Sequence, residues 1–489
     1  MVTLEEQILR HSTETPEKAA VITLSGTVTY KALWDMGCSA AGYLRKSMTD
    51  STSMIVVRAE HTAQYIALAI GCHLSGCVFV PVENELTDSK LLSICEQVNA
   101  GLVIGYEAPG FNCVSMDAFW TAAKMPFSDY KLPDEDGMAD ILFTTGTTGN
   151  SKGVIISHQS ISAVSENIVD AIGLNSESRY LIPMPVNHAF GLRRTYSTLF
   201  AGGTVVYCNG VFPPAAFFGL LEKTGAEHIM LVPSALALIL KIGAKHLAEF
   251  RDQIISLEVS SAPLSPTTRR EFMALMPKTH FWNTYGATEF PGACSYDYLE
   301  NGELSDCIGY ATKNSVIEIL DENGDVMAES SRANPGLIAV RGPMNMSGYW
   351  RSPDATRGVM RDGRVMSKDL GFRGDDGRYY VIGRADDVIN IGGFKVSPVE
   401  IEDILNKYPG IKDCACVAVN EDLIGKSICL YIVLADPENW DEYAFSAFMR
   451  KHLEAQQTPK YIVPINEIPR TYNGKIQRNL LREMKEAKQ

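Results

Sequence analysis

Short apolar runs rich in β-branched residues recur at 53–57, 77–82, 101–104 and 204–208, separated by stretches long enough for helices. That alternation predicts layered α/β structure. Between 308 and 366 the texture changes to short strand-like runs. These are punctuated by the turn signals Asp321-Glu322-Asn323-Gly324, Asn334-Pro335-Gly336 and Arg361-Asp362-Gly363, which suit an antiparallel subdomain. After Gly383-Arg384-Ala385-Asp386-Asp387 a new pattern begins: a strand over 388–391, a helix from Pro398, strands over 414–419 and 427–433, and a helix from Asp441. The expected organisation is a large domain over 1–384 and a small α+β domain over 385–489. A length of 489 residues, more than one core usually serves, agrees with that division.

Composition narrows the function classes. The formal net charge of −14 would repel a phosphate backbone, and no basic run with interleaved aromatics is present, so a nucleic-acid partner is not expected. The apolar stretch 66–82 contains His73 and Gly76 and reads as a buried helix running into a buried strand, not as a membrane span. The start, Met1-Val2-Thr3-Leu4-Glu5-Glu6, is acidic where a secretory signal would be basic. Eleven scattered cysteines suit reduced thiols in a cytoplasmic protein, and none has the spacing of a zinc site.

The stretch Thr144-Thr145-Gly146-Thr147-Thr148-Gly149-Asn150-Ser151-Lys152-Gly153 follows the apolar Ile141-Leu142-Phe143. By composition it is a phosphate cradle: glycines let backbone N–H groups face an anion, threonine hydroxyls add donors, and Lys152 supplies a mobile charge. It is not a Walker A loop, because Lys152 is preceded by Ser151 and followed by Gly153. A surface Gly/Thr turn is the alternative. Further motifs follow in order: Ser260-Ser261-Ala262-Pro263, Asn283-Thr284-Tyr285-Gly286-Ala287-Thr288-Glu289, Ser367-Lys368-Asp369-Leu370-Gly371, and Pro469 to Arg478 with Gly474-Lys475-Ile476.

Together these resemble the adenylate-forming superfamily of acyl- and aryl-CoA ligases, luciferases and peptide-synthetase adenylation domains. The resemblance implies a large N-terminal ATP- and acyl-binding domain and a small mobile C-terminal lid. It also implies ATP and Mg²⁺, and formation of an acyl adenylate followed by a thioester with CoA. On this reading Thr144, Thr145, Gly146, Thr147, Thr148 and Lys152 bind the phosphates, and Ser261, Ala262 and Pro263 lie beside adenine. Asn283, Thr284 and Gly286 belong to the same nucleotide site, Tyr285 stacks on adenine, Thr288 meets the α-phosphate and Glu289 holds magnesium. Asp369 takes the ribose hydroxyls, with Arg384 fifteen residues on. Asp386 is the hinge, Gly392, Gly393 and Lys395 line the thiol tunnel, and Lys475 is the adenylation lysine. Ser151 for Pro, Lys368 for Gly and serines for the glycines before Ala262 depart from the family pattern.

The resemblance places His188 near the acyl carbonyl; a packed histidine is the alternative. Phe190 and Arg194 lie four apart and share a face if a helix begins near Gly191. Arg194 then either points at a distal polar group of the acid or pairs with a protein carboxylate, with Arg193 as the alternative inward residue. Ser260 and Ser261 narrow the acyl pocket, which favours short, medium or aryl acids. The alternative acceptor is a carrier protein, and a non-catalytic binding relative is disfavoured by Lys475, Asp369 and Glu289. The expected partners are therefore a small carboxylic acid, ATP and CoA or a carrier protein, with the chain a monomer or dimer.

Overall fold

The computed structural model describes residues 1–48, 53–124, 128–144, 151–304, 306–391, 394–421, 425–470 and 475–486. Two large sheets build the N-terminal part. In the first, strands Ala19–Thr23, Thr204–Tyr207, Arg179–Ile182, His228–Leu231, Ser256–Val259 and His280–Ala287 lie side by side and parallel. The direction then reverses at Phe290–Asp297, and Cys307–Ala311, Tyr379–Arg384, Arg364–Arg373, Gly336–Arg341 and Val316–Leu320 continue the sheet. The turn-rich stretch is thus the antiparallel wing of one continuous sheet of fourteen strands. Short turns close His280–Ala287 on Phe290–Asp297 and Arg364–Arg373 on Tyr379–Arg384, while the parallel strands need helices to return the chain.

The second sheet orders Gly348–Tyr349, Lys152–Ser157, Met138–Thr144, Val78–Val82, Met54–Arg58, Ala100–Ile104 and Cys113–Val114. Helix Ala63–Ser75 feeds it. The Thr62 side chain caps its N-terminus by accepting from the Tyr65 N–H, and Gly76 at φ 79° ends it in the left-handed region. The apolar 66–82 run is a buried helix running into a buried strand, as its length and composition predict.

A group of buried charges draws on five elements, one of them strand Met138–Thr144 of the second sheet. His73 Nδ1 sits 2.6 Å from Glu5 Oε1 and His73 Nε2 sits 3.0 Å from Asp140 Oδ1. Arg193 Nη1 donates to Asp140 Oδ2 at 3.3 Å, and His158 Nδ1 lies 3.4 Å from Glu5 Oε1. Burial disfavours charge on His73, but its hydrogen bonds to Asp140 and Glu5 outweigh that and push it up to about 9. An imidazole donating from both nitrogens has no lone pair for a metal, so this cluster is an ion-pair lattice that ties helix Leu4–Glu14 to the core.

The C-terminal part has its own cores. Strands Ile411–Glu421 and Gly425–Leu434 pair antiparallel, and Tyr461–Pro464 joins in parallel. Cys414 and Cys416 face Ile401, Leu405, Phe445 and Met449, whereas Ala415 and Val417 face Ile468 and Leu481. Period-two alternation therefore buries both sides of a small sheet. Asp441 caps helix Glu442–His452, and Pro398 opens helix Pro398–Leu405. All eleven cysteines are free thiols. No described helix is long and apolar enough to cross a membrane.

Candidate active site

The two sheets meet where the motif residues collect. Thr144 ends one strand and Lys152 begins its antiparallel neighbour, and the two are cross-strand partners. The Thr144 hydroxyl donates to the Lys152 carbonyl at 3.5 Å. The stretch Thr145, Gly146, Thr147 and Thr148 between them lies outside the described residues. Lys152 Nζ lies 5.1 Å from the centre of the Tyr349 ring, and the Tyr349 hydroxyl donates to Glu289 Oε1 at 2.8 Å. Glu289 follows Thr288 at the turn leaving strand His280–Ala287, so Tyr349 links a carboxylate at the edge of one sheet to Lys152 of the other.

Asn283, Thr284, Tyr285 and Gly286 lie on that same strand. A Cβ at Gly286 would come within 2.7 Å of Gly292 N and 2.8 Å of Phe290 O, so the bulge there requires glycine. The Tyr285 hydroxyl donates to Asp369 Oδ2 at 2.6 Å. Asp369 and Arg384 are cross-strand partners, which explains their fifteen-residue spacing as a hairpin register. Just before the Ala262-Pro263 turn, Ser260 Oγ donates to the Thr284 carbonyl at 2.7 Å. Ser261 adopts φ 75°, a left-handed conformation that suits the family's glycine and strains a serine.

Lys475, from the C-terminal part, completes the group. Much of the residue keeps contact with solvent, yet its ammonium is desolvated in the cleft. Burial and the neighbouring Arg384 pull its pKa below the usual lysine range, while Asp369 and Glu289 act the other way. One cation from the small lobe is therefore within electrostatic reach of Asp369, Arg384 and Glu289 of the large one.

The helix carrying the acyl-side residues is Ala189–Phe200, with His188 as its N-cap residue, two positions earlier than a start at Gly191. A Cβ at Gly191 would meet the Pro185 carbonyl at 2.3 Å, which fixes glycine at this close approach. Burial lowers the His188 pKa, favouring neutral imidazole; nearby Glu83 opposes that shift and Lys90 adds to it. Phe190 and Arg194 do share a face, with the guanidinium 5.2 Å from the ring centre.

Arg194 is paired. Its Nε donates to Glu258 Oε2 at 2.6 Å, and its Nη2 donates to Glu258 Oε1 and, at 3.3 Å, to Thr284 Oγ1. The Tyr180 hydroxyl also donates to Glu258 Oε2, at 2.6 Å. Of the two readings of Arg194, the structure has the protein carboxylate. Arg193 turns to the other side of the helix and meets Asp140. Glu258 and Tyr349 are functional neighbours that motif reading did not find. The one available signal for Glu258 was an acid inside the apolar strand Ser256–Val259.

Asp386 is exposed, and its Oδ2 lies 3.7 Å from Lys368 Nζ. Gly392 and Gly393 lie outside the described residues, and Lys395 contributes backbone to the ribbon of Ile389–Ile391 with Phe394–Val396. Arg478, the last residue of the closing motif, is structural: it bonds both Glu402 oxygens and, at 2.7 Å, the Cys416 carbonyl.

A model of the AMP-binding enzyme family matches residues 8–350, and one of the AMP-binding enzyme C-terminal domain matches residues 400–475. Feruloyl-CoA synthase of an Amycolatopsis species is 26% identical over 96% of both chains. Sulfoacetate–CoA ligase of Cupriavidus necator is 30% identical, over 71% of this chain and 67% of its own. Among solved structures, ATP-bound MatB from Rhodopseudomonas palustris matches with a TM-score of 0.88 at 25% identity, covering 99% of this chain and 98% of that one.

Proposed function

The chain belongs to the AMP-binding enzyme family, and on that premise we propose how its own residues divide the work of an AMP-forming acid–thiol ligase. The reaction converts a carboxylate, ATP and CoA to an acyl-CoA through an acyl adenylate. A carboxylate is a poor acyl donor because its charge repels nucleophiles and oxide is a bad leaving group. Attack of the carboxylate oxygen on the α-phosphorus, with departure of pyrophosphate, removes both obstacles. The thiol sulfur then bonds to the acyl carbon as the bond to AMP breaks.

The observation that carries this reading is the grouping of Tyr285 with Asp369 and Arg384, and of Lys152 with Tyr349 and Glu289, with Lys475 within electrostatic reach of Arg384, Asp369 and Glu289. Its ammonium stabilises the negative charge shared by carboxylate and α-phosphate in the transition state. Asp369 accepts from the ribose hydroxyls, Tyr285 offers a stacking face to adenine, and Lys152 with the 144–148 loop steadies the departing pyrophosphate. Glu289, an oxygen donor linked through Tyr349 to Lys152, fits a hard cation such as Mg²⁺, which when bound neutralises charge on that leaving group. Neutral His188 orients the acyl carbonyl. Rotation of the C-terminal part about Asp386 then withdraws Lys475 and brings the 392–395 segment to the thiol path.

The acid we infer has an uncharged distal end, alkyl or aryl. Arg194, the buried cation on the Phe190 face of the acyl-side helix, is neutralised by Glu258, so an anionic tail would meet no unpaired guanidinium on that face. The protein works in the cytoplasm, where ATP and CoA are available. ATP–pyrophosphate exchange across matched acids with and without a terminal carboxylate tests the reading. Exchange with uncharged-tail acids, and thioester formation on free CoA, are expected. Exchange confined to dicarboxylates would overturn the substrate class, and transfer only to a carrier protein would overturn CoA as acceptor.

A further inference from the structure

Among the described residues, two ion pairs join the large lobe to the C-terminal part, and neither belongs to the catalytic group. The first lies at the hinge. Residue 368 carries lysine where the family has glycine; Ser367 on one side is buried, and Lys368 itself faces solvent. Strand alternation points Lys368 away from the face on which Asp369 meets the Tyr285 hydroxyl. Its carbonyl accepts from the Ala385 N–H at 2.7 Å, and its ammonium lies 3.7 Å from Asp386 Oδ2. The pair therefore engages the very residue about which rotation is proposed.

The second pair lies at helix Pro398–Leu405. Arg332 Nη2 donates to Asp306 Oδ2 at 2.5 Å on its own lobe, and Arg332 Nη1 donates to Glu400 Oε2 at 3.4 Å across the boundary. Two carboxylates face each other here with the guanidinium between them. The surroundings are acidic: burial, helped by Asp306 and Glu402, pushes Asp403 on the same helix up to about 7, with Arg269 and Lys407 opposing. Without Arg332 the two faces would repel.

We propose that Lys368 and Arg332 are positioning residues that hold the C-terminal part in the orientation that sets Lys475 beside Asp369, Arg384 and Glu289. They pair with Asp386 and Glu400 in that orientation, and they thereby bias the balance between adenylation and thioester formation. The inference rests on the proposed rotation about Asp386. Because both pairs are partly exposed, each shifts the balance modestly, by about 2- to 5-fold.

The test compares Lys368→Met, Arg332→Met and the double variant in two half-reactions: ATP–pyrophosphate exchange, and thioester formation from supplied acyl adenylate. The expected result is a ratio of adenylation to thioester formation that falls about 2- to 5-fold in each single variant and multiplies in the double. Lys368→Arg should keep the wild-type ratio. Added salt should lower the ratio of the wild type but not of the double variant. An unchanged ratio in the double variant, or equal loss in both half-reactions, overturns the proposal. Lys475→Ala serves as the control: if it fails to separate the half-reactions, the rotation itself is wrong and the proposal falls with it. If it separates them while the double variant does not, only the positioning role is lost.

Discussion

Arg194 and Lys475 are both cations set against carboxylates, and the two regions that hold them differ in kind. Arg194 is 3% exposed, bonded to both oxygens of Glu258, and Thr284 and Tyr180 converge on the same carboxylate. All of these groups lie on the large lobe. Lys475 comes from a separate core, and its neighbours Arg384, Asp369 and Glu289 belong to the sheet it approaches. A buried, bidentate pair fixes geometry, because separating it strands a charge in a poor dielectric. A lysine set among charges of both signs at a lobe boundary can leave at small cost. The first region is a fixed floor, and on the proposed rotation the second is a removable electrostatic contact.

The comparison breaks first at Glu258. Glu258→Ala leaves the Arg194 guanidinium buried and unpaired, with an expected loss of about 3–5 kcal/mol in stability. Replacing both residues with methionine should recover most of that loss, since the penalty comes from the orphaned charge. Urea midpoints of the three proteins decide it; equal destabilisation by the single and double changes would mean that Glu258 acts through packing alone.

Lys475→Ala probes the other side. Loss of one charge stabiliser is expected to slow adenylation by about 100- to 1000-fold while leaving thioester formation from supplied acyl adenylate within a few fold. Folding stability should hardly change, in contrast to Glu258→Ala. The pH profile sharpens the assignment. In the proposed role only the charged ammonium stabilises the transition state, so adenylation should fall as pH rises through a lysine pKa lower than the ordinary 10.5. Arginine at 475 should move that limb beyond the measurable range if it supports turnover at all.

The smallest expected effect is at Ser261, which holds φ 75° beside the proposed nucleotide site. Ser261→Gly relieves the left-handed strain but loosens the unfolded chain, for a net gain of up to about 1 kcal/mol. A thermal shift of a degree or two upward would agree, and a clear loss would show that the serine side chain stabilises the turn by a bond of its own.

The contrast between the two regions also explains what the sequence could tell. The pairing of motif residues was legible because hairpin geometry constrains neighbours: the Thr144 and Lys152 strand ends and the Asp369–Arg384 register are short-range facts. The buried apolar helix and strand of 66–82 were legible for the same reason. Glu258 beneath Arg194 was not, because its partners Tyr180 and Thr284 come from strands that only the parallel sheet brings together. The Glu5–His73–Asp140–Arg193 lattice draws on still more distant elements. Nor does local turn chemistry reveal that the antiparallel wing continues the parallel sheet, since that pairing is set at Cys307–Ala311.

The central claim is that this site forms an acyl adenylate before the thiol is used. Wild-type protein mixed with a turned-over acid and Mg·ATP, with CoA withheld, should yield pyrophosphate and one enzyme-bound acyl adenylate, detectable by mass spectrometry and consumed to acyl-CoA and AMP when CoA is added. Appearance of ADP with acyl phosphate, or a strict requirement for CoA before any pyrophosphate is released, would contradict it.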